Sequence, residues 1–340
     1  MDQLRVGIIG CGRPWKSEGA TGFGMSREHA KGYLKAGCHI AALADLNREN
    51  AEAFQKDLGG DAIYTDYHQM LAEAKLDIVS ISTWPKLHTE MVLAAARAGV
   101  KAIHCEKPMA MTFGESREMV QVCDELKVQL TFNHQRRFGT PFIWMRQAVR
   151  DGRIGELKRM ELSCGNLYDW GTHWFDMMFY YNAETPAEWV IGQIDTRGTK
   201  DVFGAPCEGQ GLSHIKFKNE VRGTMVTGHQ ANIGAQQRLI GTEGQIEFDG
   251  KEARIWAKGM SDWQPLTGDE PVNDMNAVGL GVVDLVDALR TSRTPELAAA
   301  HAIQATELIF ATYESSRTRG RVDLPLTISD SPLMDMLGRA

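Results

Sequence analysis

The sequence predicts an α/β domain with a doubly wound parallel sheet, followed by an α+β domain with a large, open, mainly antiparallel sheet. Three observations predict it. Over about the first 130 residues, short apolar runs alternate with helical patterns of ten or so residues. Beyond residue 133 the strand-like runs alternate in polarity and are joined by tight connections. The length of 340 residues also exceeds what one hydrophobic core usually supports.

Arg5–Gly10 (RVGIIG) is a short apolar run ending in glycine, as a strand buried on both faces should read. Ser26 is placed to cap a helix over about Arg27–Lys35, which Gly37 would stop. His39–Asp45 (HIAALAD) reads as a second buried strand, and Asn47–Leu58 as a helix ending at Gly59-Gly60. The alternation continues through the strand Asp77–Thr83, a helix over His88–Ala98, the strand Lys101–Cys105, a helix over Phe113–Leu126 and the strand Gln129–Asn133. Such βαβ units build a parallel sheet, so residues 1–132 form the first expected domain.

The grammar then changes. After a helix near Phe142–Arg150 come the strand-like stretches Leu157–Cys164, Trp189–Arg197, Leu212–Lys218, Arg222–Gly228, Gln237–Gly241, Gln245–Phe248 and Ala253–Ala257. Connections such as Lys218-Asn219-Glu220 and Thr242-Glu243-Gly244 suit an antiparallel, half-exposed sheet. One helix, about Gly171–Tyr181, interrupts it, and two more follow at Asn276–Arg290 and Glu296–Arg317. Residues 133–340 are therefore expected to form the second domain.

Composition excludes several function classes. A formal net charge of -7 argues against a nucleic-acid or anionic-membrane surface, which needs clustered Lys and Arg. The six scattered cysteines include no C-x-x-C pair, so free thiols are expected and neither a disulfide framework nor a metal site. No apolar run approaches the roughly 20 residues that span a bilayer. The N-terminus runs straight into a strand with no secretory pattern, which points to a cytoplasmic protein.

Gly10-Cys11-Gly12 directly follows the first buried strand. Glycines there allow a tight turn and let backbone N–H groups approach a pyrophosphate, the Rossmann arrangement. Asp45 closes the second strand, where a carboxylate accepts bonds from ribose hydroxyls and repels a 2′-phosphate. NAD is therefore favoured over NADP, with Arg48 as the one nearby cation. The fingerprint departs from its usual form at Trp15, where a third small residue is expected. The stretch Arg13–Met25 is either a surface insertion or a lid over the cofactor, with Arg13 or Lys16 near phosphate.

At Cys105-Glu106-Lys107-Pro108 a buried strand ends in Glu-Lys-Pro. With Thr83-Trp84-Pro85-Lys86-Leu87-His88, Asn133-His134-Gln135-Arg136-Arg137-Phe138, Asp169-x-Gly171-x-His173-x-x-Asp176 and Gly241-Thr242-Glu243-Gly244, the chain resembles the glucose–fructose oxidoreductase / inositol dehydrogenase / rhizopine-catabolism (Gfo/Idh/MocA) family. The resemblance covers nearly the whole chain. It implies reversible hydride transfer between a nicotinamide and a carbinol carbon of a sugar or cyclic polyol.

It also implies catalytic groups at Lys107, Asp169 and His173. An alcohol oxidation needs a base for the hydroxyl proton, and an imidazole suits that work. Lys107 would hydrogen-bond the reacting oxygen. Asp169 and His173, four apart, share a face if both lie in the first turn of a helix. The resemblance places Glu106 near the nicotinamide ribose, Thr83, Pro85 and His88 along the cofactor cleft, and a cis peptide at Lys107-Pro108. One of Arg136 and Arg137 reaches substrate and the other braces the domains. Asp176 is either a second substrate contact or a structural hydrogen-bonder, the latter favoured. Tyr168 and Trp170 are either a plate for a sugar face or core.

Three functions compete on these residues. The first is an NAD-dependent sugar or polyol dehydrogenase. The second is a redox-neutral enzyme that oxidises a sugar transiently, cleaves a glycoside or epimerises a centre, and returns the hydride. The third is a noncatalytic NAD(H)-responsive binding protein. The open sheet and the resemblance together imply a homodimer or homotetramer.

Overall fold

In the computed structural model, which describes residues 3–14, 16–20, 22–229, 231–268 and 276–339, the apolar runs of the first region form a six-stranded parallel sheet. Its elements are β1 (Arg5–Ile9), α1 (Met25–Lys35), β2 (His39–Ala44), α2 (Arg48–Leu58), β3 (Ala62–Tyr64), α3 (Tyr67–Glu73), β4 (Ile78–Ile81), α4 (Pro85–Arg97), β5 (Ala102–Cys105), α5 (Phe113–Glu125) and β6 (Gln129–Phe132). The strand order β3-β2-β1-β4-β5-β6 reverses direction of growth between β1 and β4. Ligands of such sheets bind at that switch point, outside the carboxyl ends of the strands.

Two local differences from the sequence expectation have clear causes. Ser26 does not cap α1: the cap is Gly24, with a left-handed φ of 68°. Ser26 sits inside the first turn, where its hydroxyl donates to the Cys11 carbonyl at 2.6 Å and so ties the helix to the glycine turn. The elements β3 and α3 are additions. Three residues are too few to show a strand period, and α3 is announced only by Asp66, which accepts from His68 N at 2.8 Å. Asn47 does cap α2, accepting from Glu49 N at 3.0 Å. Trp15, Thr21 and Gln230 lie outside the described residues.

The second region contains α6 (Thr140–Arg150), β7 (Leu157–Cys164), α7 (Gly171–Tyr181), β8 (Ala187–Asp195), β9 (Lys200–Val202), β10 (Ala205–Cys207), β11 (Gln210–Phe217), β12 (Arg222–Gly228), β13 (Gln237–Gly241), β14 (Gly244–Phe248), β15 (Ala253–Ala257) and β16 (Gln264–Pro265). The helices α8 (Ala277–Thr291) and α9 (Ala299–Thr318), the strand β17 (Val322–Asp323) and the helix α10 (Pro332–Met336) close the chain. Nine strands make one sheet in the order β16-β15-β14-β13-β7-β12-β11-β8-β17, and β9 pairs with β10 apart from it. Only β7 and β12 run parallel within the nine.

The period of two on β11 sorts this sheet into a covered and an open face. Ser213, Ile215 and Phe217 are buried under α7 and α9. Phe179 meets Phe217 edge-on at 5.5 Å, and Thr312 donates to the Ser213 hydroxyl at 2.8 Å. Ile191 and Leu212, of opposite parity, each keep 48% of their surface exposed.

The chain divides into two compact units. The first takes the residues through Met111, Glu115–Gln135, and a later segment through Ala300 that carries α8; the second takes the rest. Assigning all of 133–340 to the second domain therefore misplaces α8. Val282, Leu285 and Val286 of this helix join Val6, Ile8 and Tyr33 in one buried cluster, completing the core of the first unit. Gly32 permits the approach, since a Cβ there would come within 2.7 Å of Val282 Cβ. All six cysteines are free thiols, and no described helix is long and apolar enough to cross a membrane.

Candidate active site

The carboxyl ends of the parallel strands gather the first group of candidate residues. Gly10 follows β1 with φ 84°, and a Cβ there would lie 2.8 Å from the Ser82 carbonyl oxygen after β4. Only glycine fits so close an approach at that φ. Gly12 (φ 57°) differs: nothing lies within 4 Å of its Cβ position, so open space faces the turn. Its N–H donates to Asp45 Oδ2 at 3.1 Å, while Asp45 Oδ1 accepts from Asn47 N at 2.9 Å. A carboxylate offers about four acceptor sites, so these bonds leave capacity for ribose hydroxyls. Open room at Gly12 and this carboxylate fit a dinucleotide.

Arg13 has other work. Its Nε donates to Asn50 Oδ1 at 3.0 Å, its Nη1 to the Glu18 carbonyl at 2.9 Å, and Glu49 lies 3.6 Å from Nη2. The guanidinium thus straps the loop after Gly12 onto α2. Arg48 is likewise engaged, donating to Glu52 Oε1 at 2.9 Å.

The Glu-Lys-Pro strand end is locked from below. Glu106 Oε1 accepts from Asn133 Nδ2 at 2.7 Å and lies 3.0 Å from His29 Nε2, and Glu106 Oε2 accepts from Lys107 N at 3.3 Å. Burial alone would raise this carboxyl, but His29, then Lys107 and Asn133, hold it down at about 2. The Lys107–Pro108 peptide is cis, as the resemblance implies. His88 is fully enclosed, which pushes its pKa down despite opposing hydrogen bonds. Its Nδ1 lies 2.9 Å from the Pro108 carbonyl oxygen and its Nε2 3.1 Å from that of Thr83. It therefore joins the loops after β4 and β5 rather than offering a surface to a cofactor. Thr83 stays partly exposed, and Pro85 is the first residue of α4.

The second unit carries the remaining candidates. Asp169 and His173 are 7% and 4% exposed. Asp169 is not on the helix: it stands one residue before the Trp170 cap of α7, while His173 is in the first turn. Asn166 shapes this entry, its Oδ1 accepting from Asp169 N at 2.7 Å and Trp170 N at 3.1 Å. Tyr168 is buried, whereas Trp170 keeps 45% of its surface. Of these two aromatics, Trp170 is the one that presents a ring outward.

The two arginines separate cleanly. Arg137 is buried, with Nε 2.8 Å from Asp176 Oδ2, Nη2 2.8 Å from Asp176 Oδ1 and Nη1 2.7 Å from Glu184 Oε1. Although burial opposes its charge, these carboxylates raise its pKa well above the ordinary value. Arg137 is thus the brace, and Asp176 its structural partner. The Arg136 guanidinium instead lies over the rings of Trp174 (5.3 Å), Trp170 (5.7 Å) and Phe142 (5.8 Å). Those tryptophans adjoin Asp169 and His173 in sequence.

Residues 4–134 match the Gfo/Idh/MocA family, described as an oxidoreductase family with an NAD-binding Rossmann fold. A myo-inositol 2-dehydrogenase from Thermotoga maritima is 24% identical over 283 residues, covering 78% of this chain and 79% of that protein. An inositol 2-dehydrogenase from Paracoccus denitrificans is 34% identical, over 44% of this chain and 42% of its own length. The fold extends further than these alignments: a levoglucosan dehydrogenase solved with NADH and levoglucosan superposes with a TM-score of 0.80 at 19% identity, over 96% of this chain and 100% of that one.

In this chain one sheet edge brings together Gly10, Gly12, Asp45, Thr83, Glu106 and Lys107. The motifs assign no role to two contributors. His29 sits on the buried stripe of α1 with Ser26, Ala30 and Tyr33. A titratable ring on a core-facing stripe requires a polar partner, and that was the available signal. Asn133 lies within a quoted motif, but nothing in its spacing points to Glu106.

Proposed function

We propose that this chain is an NAD-dependent dehydrogenase oxidising a secondary alcohol of a sugar or cyclic polyol, reversibly. The observation that carries the proposal is the mounting of Lys107. Glu106 before it is held by His29 and Asn133, and Pro108 after it by His88, so its backbone is fixed on both sides at the ligand edge of the sheet. Inositol and levoglucosan dehydrogenases among the similar proteins support the substrate class.

The bound nicotinamide would supply the hydride acceptor. The chain's residues do the rest. His173 takes the hydroxyl proton and Asp169 orients the ring or binds a second hydroxyl. Lys107 donates to the reacting oxygen and stabilises its developing charge. Arg136 and the exposed Trp170 ring contact the sugar. Asp45 supports NAD over NADP, because the nearest cations, Arg13 and Arg48, are already engaged. The half-exposed Ile191 and Leu212 favour self-association through the open sheet face; light scattering showing a monomer at micromolar concentration would exclude that part.

A screen of NAD-loaded protein against inositols, aldoses, uronates and glycosides tests the reading, with NADH formation as the expected result. Glycoside cleavage with retained NAD and no net NADH would favour the redox-neutral alternative. No chemistry with any class, beside tight NAD(H) binding, would favour a sensor.

A further inference from the structure

The mechanism above leaves the buried carboxylate Glu208 of the second unit unused. Glu208, between β10 and β11, is 4% exposed, and among the described residues it is bonded by neutral donors. Oε1 accepts from Leu167 N at 2.5 Å and from Thr227 Oγ1 at 2.9 Å, and Oε2 accepts from Tyr313 OH at 2.7 Å. Burial raises its pKa, and these hydrogen bonds oppose the rise.

Leu167 N is the informative donor. It belongs to the turn that delivers Asp169, in which several N–H groups are bonded close by in sequence. Asn166 Oδ1 takes Asp169 N and Trp170 N, the Asn166 carbonyl takes Gly171 N at 2.8 Å, and the Trp170 carbonyl takes His173 N at 3.1 Å. Glu208 ties this turn to the sheet through Thr227 and to α9 through Tyr313, beside the Cys164 Sγ bond to the Asn166 carbonyl at 3.3 Å. Packing beneath the turn is tight, since a Cβ on Gly211 would approach Leu167 Cδ1 to 2.9 Å and Thr227 Oγ1 to 2.8 Å.

We propose that Glu208 is a positioning residue for the alcohol-oxidising site: its carboxylate sets the height and angle of the Asn166–Gly171 turn, and through it the placement of Asp169 and His173. The inference rests on the proposed roles of those two residues. It makes reach, rather than charge, the property that matters. Gln keeps the reach of Glu, an oxygen for Leu167 N and Thr227, and an amide that the Tyr313 hydroxyl can accept. Asp keeps the charge but is one methylene short.

The test compares Glu208→Gln with Glu208→Asp in the full-length protein, using the substrate that gives most NADH in the screen. Glu208→Asp is expected to lower kcat by about 100-fold, the scale of a 1 Å misplacement, while its NAD affinity stays at the wild-type value. Glu208→Gln is expected to restore kcat to near wild type. Amide hydrogen exchange over 166–173 should rise in Glu208→Asp only, and that readout needs no substrate. The reverse order of activities, or an Asp variant with wild-type kcat, overturns the proposal. So does unchanged exchange. If Asp169→Ala and His173→Ala keep full activity while exchange responds as stated, it is the catalytic assignment that fails and the anchoring by Glu208 that stands.

Discussion

The two units hold their candidate residues by different means. In the first, main-chain topology does the gathering: parallel strands end at one edge, and Gly10, Asp45, Thr83 and Lys107 arrive there because each follows a strand. In the second, one turn and one helix carry Asp169 and His173, and buried side chains from distant segments fix them. Arg137 reaches Asp176 and Glu184, and Glu208 reaches Leu167. A site edge made by strand ends tolerates changes in single side chains. A turn tied down by side chains, the Glu208 carboxylate among them, is more sensitive to a single substitution.

The largest effects should separate chemistry from binding. Lys107→Ala and His173→Ala are each expected to reduce turnover by about 10²–10⁴-fold, the usual weight of a positioned acid–base or oxyanion-stabilising group. NAD affinity by calorimetry should remain near wild type in both. A His173→Ala variant that loses NAD binding instead would show that the second unit governs the cofactor, and the contrast drawn above would fall.

Next comes the brace. Arg137→Met leaves Asp176 fully buried without its counter-charge, and breaking such a pair costs about 3–5 kcal/mol. Urea denaturation should show that loss. Restoring the balance with Asp176→Leu in the same chain should recover most of it. A small loss in the single variant would mean that the second unit is held by its apolar packing alone.

The pair beneath Lys107 gives a pH test. The Glu106 carboxyl is held at about 2 in the folded chain against an ordinary value of 4.5. A depressed carboxylate stabilises the fold above its unfolded value, and that stability is lost as pH falls through the folded one. The wild type should therefore lose roughly 3 kcal/mol more than Glu106→Gln between pH 4.5 and pH 2. Equal acid titrations of stability would show that His29 and Asn133 do not hold the carboxylate as described.

This division also explains what the sequence made legible. Strand ends announce themselves through apolar runs closed by Gly, Asp or Glu-Lys-Pro, so most of the cofactor edge was readable as a pattern. His29–Glu106 was not, because α1 and β5 are 77 residues apart and neither carries a mark of the other. The same holds for Glu208, 41 residues from Leu167. The position of α8 escaped for a related reason. Its amphipathic pattern shows that it needs a core, but not which one, and it returns across more than a hundred residues to pack on α1.

The smallest expected effect concerns Arg13, and it bears most directly on the comparison. A cation beside the glycine turn invites assignment to the pyrophosphate, as the sequence does. In the fold its guanidinium is bonded to Asn50 and the Glu18 carbonyl, with Glu49 at 3.6 Å. A partly exposed cation with partners of its own adds little to a neighbouring site, because solvent screens it. Arg13→Ala should then change NAD affinity by no more than about twofold, within the range of an exposed ion pair. It should instead speed amide exchange and proteolysis in the loop after Gly12. A tenfold loss of affinity, growing as salt is lowered, would show that Arg13 leaves Asn50 to meet phosphate. The first unit would then also rely on side chains to shape its edge, as the second does on Arg137.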